Sequence, residues 1–253
     1  MNGGVWDKLE HQLIDTHCHI LDYNCPDLLN QLKHKQITVH AVTTTLDEFK
    51  NIKKIVADHP NIHPSLGLFP LKVPDECDSL EEILEHIETT KFIGEIGLDY
   101  TVLESERIKQ REVLKLIVAK CDKIGNRVLS LHSRGSAEDT LNIIGKNFNG
   151  TAIMHWFSGK PEFLKNCPDN VFFSINTAMI KSRKGKEIIK AIKPSQVLTE
   201  TDGPYVQING QPTYPWDIKN VIQTLSLRWD KSIQETLKIV SDNYRRAVNF
   251  YGV

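Results

Sequence analysis

The sequence has few cysteines, and none of them are paired at metal-binding spacing. Its five cysteines form an odd set without a Cys-x-x-Cys pair. They are Cys18, Cys25, Cys77, Cys121 and Cys167. Such a set predicts neither a disulfide framework nor a structural zinc site with thiolate ligands. We therefore expect reduced thiols.

The sequence also lacks long apolar runs and an excess of charge of either sign. No run reaches the roughly 18 apolar residues that a membrane-spanning helix needs. Residues 1–12, MNGGVWDKLEHQ, have no basic segment followed by an apolar one. The formal net charge is -1, so a binding site for a polyanion has to be local. We expect a cytoplasmic protein with no membrane partner.

The sequence does have short apolar strands that alternate with amphipathic helices. Strands are predicted at 13–20, 37–44, 62–68, 91–98, 127–133, 151–157, 171–176 and 196–201. Helices are predicted at 26–35, 46–58, 79–89, 104–124, 136–147, 160–166, 184–192, 215–228 and 231–250. Eight βα units without a long Pro/Gly linker predict one domain over 1–253. Its fold class is α/β, a (β/α)8 TIM barrel with an additional C-terminal helix.

Metal-ligating residues stand at the ends of several predicted strands. LIDTHCHI places Asp15, His17 and His19 at alternate positions, on one face of a strand. In a parallel barrel the carboxyl ends of all strands meet on one face. The six candidate ligands there are His17, His19, Glu95, His132, His155 and Asp202. They suit two divalent ions with a bridging carboxylate, for which Glu95 is the natural choice. Zn²⁺, Mn²⁺ and Mg²⁺ all stay open.

The other histidines lie away from these strand ends. We interpret them as structural: His11, His34, His40, His59, His63 and His86.

The order and spacing of six motifs resemble the TatD family of metal-dependent deoxyribonucleases over nearly the whole chain. The motifs are DTHCH, GEIGLDY, LHSR, HWFSG, ETDGPY and NYRRAVNF. The resemblance implies an amidohydrolase-type barrel with two metal ions on the same six ligands. It also implies hydrolysis of a phosphodiester in DNA by a metal-activated water, whose proton Asp202 takes. Arg134, two residues after His132, would bind a phosphate oxygen.

This chain departs from the family pattern at two places. It has Phe69 in GLFP where the family usually has a histidine, and QPTYP where the family usually has Arg-Asn-x-Pro. Both departures remove polar groups expected to face the substrate.

Further candidate substrate contacts are basic and aromatic. Lys181, Arg183 and Lys184 follow the seventh strand, on the side of a barrel where phosphate sites often form. The same residues would also suit a solvated helix start. Trp156 could stack on a base or pack within the barrel. Because a barrel mouth is concave, we expect single strands or strand ends of DNA as the substrate.

Two other functions stay open from the sequence. The first is an amidohydrolase-type enzyme acting on a small amide, lactone or phosphoester, which Phe69 favours. The second is a subunit that binds protein partners in a defence complex, since phage-defence systems of the Qat type include a TatD-like component. Retention of all six ligands favours an enzyme, because buried polar groups are costly without a metal.

Overall fold

Eight parallel strands follow one another in chain order around a barrel. The computed structural model describes Trp6, Leu9, residues 12–76 and residues 79–249, so Cys77 and His11 lie outside the described residues. The strands are β1 Ile14–Cys18, β2 Thr38–Ala41, β3 Ile62–Pro64, β4 Phe92–Asp99, β5 Arg127–Arg134, β6 Gly150–His155, β7 Val171–Ile175 and β8 Val197–Thr199. Each overlaps its predicted region, which confirms the predicted fold class.

Two seams close the barrel. Between β3 and β4, Leu66 pairs with Ile93, and the Leu66 N–H donates to the carbonyl of Phe92 at 2.9 Å. Between β8 and β1, the Asp202 N–H donates to the His17 carbonyl at 2.9 Å. The second seam therefore places the residues after β8 beside His17 of β1.

Helices connect and cover the strands. They are α1 Leu28–Lys35, α2 Leu46–Ile55, α3 Val73–Glu76, α4 Leu80–His86, α5 Glu104–Ile124, α6 Ala137–Ile144, α7 Thr177–Lys181, α8 Arg183–Ala191, α9 Ile218–Trp229 and α10 Ile233–Val248. No helix in the described part of the chain is long and apolar enough to cross a bilayer.

Three local features differ from the sequence predictions. The helix predicted at 160–166 is only a 3₁₀ turn, Pro161–Leu164, because Pro168 limits its extension. The short helices α3 and α7 were not predicted. A hairpin of β9 Gln207–Ile208 and β10 Gln211–Pro212 was also missed. Its two-residue loop is Asn-Gly with both φ angles positive, the ordinary signal for such a turn.

The predicted C-terminal helix, α10, packs against the amino ends of the strands. Buried Asn243 donates to the carbonyls of Pro194 and Val197 at 2.8 and 2.7 Å. Thr151, at the start of β6, donates to the carbonyl of Ala247 at 2.7 Å. The helix therefore covers the end of the barrel opposite the carboxyl ends of the strands.

His40 has a structural position near this amino-terminal end, as predicted. It is 2% exposed, its Nε2 lies 2.9 Å from the Tyr244 hydroxyl, and its ring packs on Phe92. Burial and, to a lesser degree, the neighbouring His63 hold the pKa of His40 well below its ordinary value of 6.5.

This depressed pKa makes the stability dependent on pH. Because folding disfavours the protonated form, the stability from neutral His40 is complete above about pH 6.5 and declines as the pH falls. Below that pH, we expect the free energy of unfolding to fall more steeply in wild type than in His40→Gln. The difference in slope should be about 1.4 kcal/mol per pH unit. Urea unfolding in chelator between pH 5.5 and 7 measures the difference. The exposed substitution His34→Gln is the control, and equal slopes for wild type and His40→Gln would contradict the prediction.

Candidate metal centre

His17 of β1 and His19, which directly follows β1, lie at the carboxyl end of the barrel, where they face two carboxylates. Nε2 of His17 lies 3.7 Å from Glu95 Oε2 and 3.7 Å from Asp202 Oδ1. Nε2 of His19 lies 3.4 Å and 3.7 Å from the same two oxygens. Ser130, on β5, orients His17 through a 2.7 Å contact with Nδ1. Residues distant in the sequence thus converge on one buried point.

Glu95 is at the centre of this cluster. Its Oε1 lies 2.7 Å from His132 Nδ1 and 3.2 Å from His155 Nε2, so its two oxygens together contact all four histidines. Burial acts to raise the pKa of Glu95, but hydrogen bonds from the histidines, His132 and His155 first, outweigh it and hold that pKa well below its usual range. Glu95 is therefore an ionised carboxylate between two sets of imidazoles, as a bridging ligand requires.

The residues present fit a divalent metal ion. Nε2 of His17 is buried, and no described residue hydrogen-bonds to it. Burial, followed by the nearby His155, lowers the pKa of His17 to about 4, so its ring is neutral and can ligate. Two groups of three residues have their ligand atoms close together: within each group, these atoms all lie within 4.8 Å of one another. They are His17, His19 and Asp202, and His17, Glu95 and His155.

His132 lies beside these two groups rather than within them. Both of its ring nitrogens have carboxylate partners, Glu95 at Nδ1 and Asp99 Oδ2 at 2.9 Å from Nε2. Burial acts to raise the pKa of Asp99, but hydrogen bonds from His132 and Thr101 lower it to about 2. The structure thus brings five of the six predicted ligands into the groups, and a ligand role for His132 stays a prediction.

Asp202 reaches the cluster from an unusual backbone conformation. Its φ is 50°, and burial raises the pKa of its carboxyl group to about 7 although His155 and His19 oppose this. Asp15 supports the segment from β1: its carboxylate accepts hydrogen bonds from the N–H and hydroxyl of Thr201. Asp15, which the sequence places on the same face as His17, thus positions the loop that carries Asp202.

Glu200 is a functional candidate to which the sequence analysis gave no role. Its Oε2 lies 3.5 Å from His155 Nδ1, close enough for an ion pair. Its carboxylate also accepts hydrogen bonds from Ser174, from the Trp156 N–H at 3.0 Å and from Asn176 at 2.8 Å. A carboxylate on the second nitrogen of a ligating imidazole fixes the orientation of the ring. The available signal was its position, two residues before Asp202 in ETD.

We expect Glu200→Gln to weaken metal binding by about 10–100-fold, the usual effect of losing such a partner. Glutamine lacks the negative charge that faces His155 Nδ1, and its amide oxygen is a weaker hydrogen-bond acceptor than a carboxylate oxygen. Competition with a chromophoric chelator measures the affinity, and Glu187→Gln on the exposed face of α8 is the matched control. A lower melting temperature of the metal-free protein with wild-type metal affinity would show that Glu200 only stabilises the fold.

The predicted substrate contacts divide between two surfaces. A cavity of about 800 Å³ opens above the cluster, and both Arg134 and Trp156 line it. Trp156 is 38% exposed and has a φ of 38°, so its ring does not pack within the barrel. Lys181 and Arg183 are exposed outside this cavity. Lys184 is also exposed and lines a neighbouring groove of about 500 Å³.

Comparison with known proteins identifies the family of this chain. The family model described as TatD related DNase matches residues 14–249. Deoxyribonuclease TATDN3 of Homo sapiens is 24% identical, over 91% of this chain and 92% of the human protein. An uncharacterized metal-dependent hydrolase of Buchnera aphidicola is 28% identical, over 81% and 85%.

The solved structures agree on the fold. The crystal structure of YJJV, a TatD homolog from Escherichia coli, superposes with a TM-score of 0.81 at 20% identity, covering 96% of this chain and 99% of that one. A TatD family hydrolase from Entamoeba histolytica gives 0.75 at 19% identity, covering 93% and 97%. With the family model matching almost the whole described chain, the protein belongs to the TatD family and is a metal-dependent hydrolase.

Proposed function

We propose that the protein hydrolyses phosphodiester bonds of DNA and acts on single strands or strand ends. The observation that carries this proposal is a buried histidine and carboxylate cluster at the floor of a cavity that also exposes Arg134 and Trp156. The name of the human relative, a deoxyribonuclease, supports the choice of substrate.

The residues divide the chemistry among them. Divalent ions held by the six candidate ligands, two in our proposal, would supply Lewis acidity and lower the pKa of an attacking water. Asp202 accepts the proton of that water, and Glu95 holds the two sides of the cluster together. Arg134 binds an oxygen of the scissile phosphate, for which a guanidinium is well suited. Trp156 offers an exposed ring for a base to stack on.

The shape of the site favours single strands. The cavity volume of about 800 Å³ lies in the range of small-ligand pockets. A strand end or an unpaired nucleotide can enter such a space, whereas a base pair inside an intact duplex cannot reach its floor.

The second candidate is hydrolysis of a small amide, lactone or phosphoester. Phe69 favours it, because its ring lines the cavity and stands edge-on to His132 with 5.1 Å between the ring centroids. An apolar wall at this place suits a compact organic substrate. Membership of a Qat-type defence complex, the identity of the metal and the cytoplasmic location stay predictions.

Digestion of labelled nucleic acids tests the proposal. Protein reconstituted with Zn²⁺, Mn²⁺ or Mg²⁺ is incubated with end-labelled single-stranded DNA, duplex DNA and RNA, and in parallel with a panel of small amides, lactones and phosphoesters. We expect faster cleavage of single-stranded DNA than of the duplex. Turnover of the small substrates with no cleavage of any nucleic acid would favour the second candidate.

The basic residues after β7 give a prediction on binding. If Lys181, Arg183 and Lys184 contact phosphates, replacing all three with alanine should weaken DNA binding. The slope of log K against log salt should decrease in magnitude by about 2–2.7, since each neutralised phosphate contributes about 0.7–0.9. Anisotropy titrations between 50 and 200 mM salt measure the slope. Lys219, Lys231 and Lys238 replaced together are the charge-matched control. An unchanged slope would show that phosphates are bound elsewhere.

A further inference from the structure

The wall of the cavity carries two anionic and two cationic side chains outside the metal cluster. They are Asp22, Glu48, Lys72 and Arg134. The anionic pair already has partners within the protein. Asp22 accepts a hydrogen bond from the Tyr205 hydroxyl at 2.8 Å, and Glu48 accepts from the Thr44 N–H at 2.7 Å and from the Thr44 hydroxyl.

The two cations differ from the anions in this respect. Among the residues that the structure describes, none forms a side-chain hydrogen bond or ion pair with Lys72 or Arg134. Among these four side chains, the two cations are therefore the ones whose hydrogen-bonding groups have no partner in the described part of the protein. An anionic substrate can use both cations without breaking a contact of the protein.

The fold separates these two cations. Lys72 ends the 3₁₀ turn Pro70–Lys72 that follows β3, and Arg134 is the last residue of β5. Because Lys72 lies beyond the end of β3, Arg134 ends β5, and β4 lies between these two strands, the two cations reach the cavity from different parts of the barrel. Phe69 and His132 also line the cavity, with their rings edge-on and 5.1 Å between the centroids. Two cations on separate elements, together with the apolar ring of Phe69, suit two separate anionic groups joined by a less polar unit.

We infer that Lys72 binds a second phosphate of the substrate, next in the strand to the scissile phosphate that Arg134 binds. This inference rests on the proposed phosphodiesterase function and deepens it. The site would select a strand with at least two consecutive phosphates, and the sugar or base between them would lie against Phe69. Lys72 is then a specificity-determining residue, since it touches no reacting atom.

Neutralising one phosphate at a time tests this directly. The substrates are a trithymidylate with two phosphodiesters and its two analogues in which either linkage is an uncharged methylphosphonate. Only the remaining diester of an analogue can be cleaved, so the neutral linkage is always the neighbour of the scissile one. For wild type, we expect a KM about 10-fold higher for the analogue whose neutral linkage lies at Lys72, with kcat nearly unchanged.

The variant Lys72→Ala should remove this discrimination. Its KM for the natural trinucleotide should rise to about that of wild type with the analogue, and the analogue should show no further increase. Lys54→Ala, an exposed lysine of α2 outside the cavity, should keep the wild-type ratio. Measurements of metal content and melting temperature check that Lys72→Ala is folded and binds metal as wild type does.

The outcomes separate this inference from the proposed function. If wild type cleaves the trinucleotides but Lys72→Ala retains the wild-type ratio of KM values, the inference is overturned and the phosphodiesterase proposal stands. If wild type cleaves none of the three while it turns over a small amide or lactone, the proposed function fails and the inference with it.

Discussion

Replacement of Glu95 with alanine should remove bound metal and activity together. Its carboxylate contacts all four histidines of the cluster, at distances between 2.7 and 3.7 Å. Without it, those buried imidazoles face one another with Asp202 as the remaining carboxylate of the candidate ligands. Because the chemistry depends on the ions that these residues hold, we expect activity to fall by about 10³-fold or more and metal content to fall below one ion per chain.

Elemental analysis of the purified proteins, alongside steady-state rates, measures both quantities. His17→Ala should behave in the same way, since His17 belongs to both candidate ligand groups. Glu95→Gln keeps the volume of the side chain and separates loss of metal from loss of folding. Glu48→Gln is the control, because Glu48 lines the cavity outside the cluster. Stoichiometric metal retained by both Glu95→Ala and His17→Ala would overturn the ligand assignment.

Replacement of Asp202 with asparagine should lower kcat by about 10²–10⁴-fold, the usual contribution of general base catalysis. Asparagine keeps the shape and one coordinating oxygen but is not a base at neutral pH. At least one metal ion and substrate binding should be retained. Steady-state kinetics with metal content measured on the same samples give the comparison.

The competing interpretation of Asp202 is a turn cap in Asp-Gly-Pro, for which asparagine would serve equally well. The structure argues against it: in the described part of the chain, no backbone N–H donates to the Asp202 carboxylate, which faces His17 and His19. Asp217 does have a capping contact, accepting from the Tyr214 N–H at 2.9 Å. Asp217→Asn is therefore the matched control. A kcat of Asp202→Asn close to that of wild type would show that Asp202 caps the turn and is not the general base.

The sequence predicts the barrel because each strand is a short apolar run between amphipathic helices, a pattern carried by neighbouring residues. It also predicts His17, His19, Glu95, His155 and Asp202 as one cluster, because the ends of parallel strands meet whatever their separation in the chain. The structure brings these five together. Topology alone was enough for this part of the site.

The order of the strands does not predict which individual side chains from distant parts of the sequence contact one another. Ser130 contacts His17, which is 113 residues away in the sequence. Glu200, after β8, contacts His155 at the end of β6. Either residue alone resembles an ordinary polar residue of a strand. Lys72 was missed because its own stretch, PLKVPD, shows no feature beyond a turn.

The basic residues after β7 lie on two consecutive short helices. The helix α7 occupies Thr177–Lys181 and is followed by Ser182, which caps α8 by accepting from the Gly185 N–H. Lys181, Arg183 and Lys184 are exposed outside the cavity, with Lys184 lining the neighbouring groove. Their contact with phosphates stays a prediction. The sequence left open whether Trp156 packs within the barrel, and the structure shows it 38% exposed and lining the cavity.

A metal titration of cleavage tests the central claim most directly, namely that the strand-end cluster holds divalent ions that enable DNA hydrolysis. Protein stripped with a chelator is titrated with each metal while cleavage of 5′-labelled single-stranded DNA and bound metal are followed together. We expect no cleavage by the stripped protein and a rate that rises with bound metal to a plateau at no more than two ions per chain. Cleavage that persists undiminished in excess chelator, or that stays absent when two ions are bound, would contradict the claim.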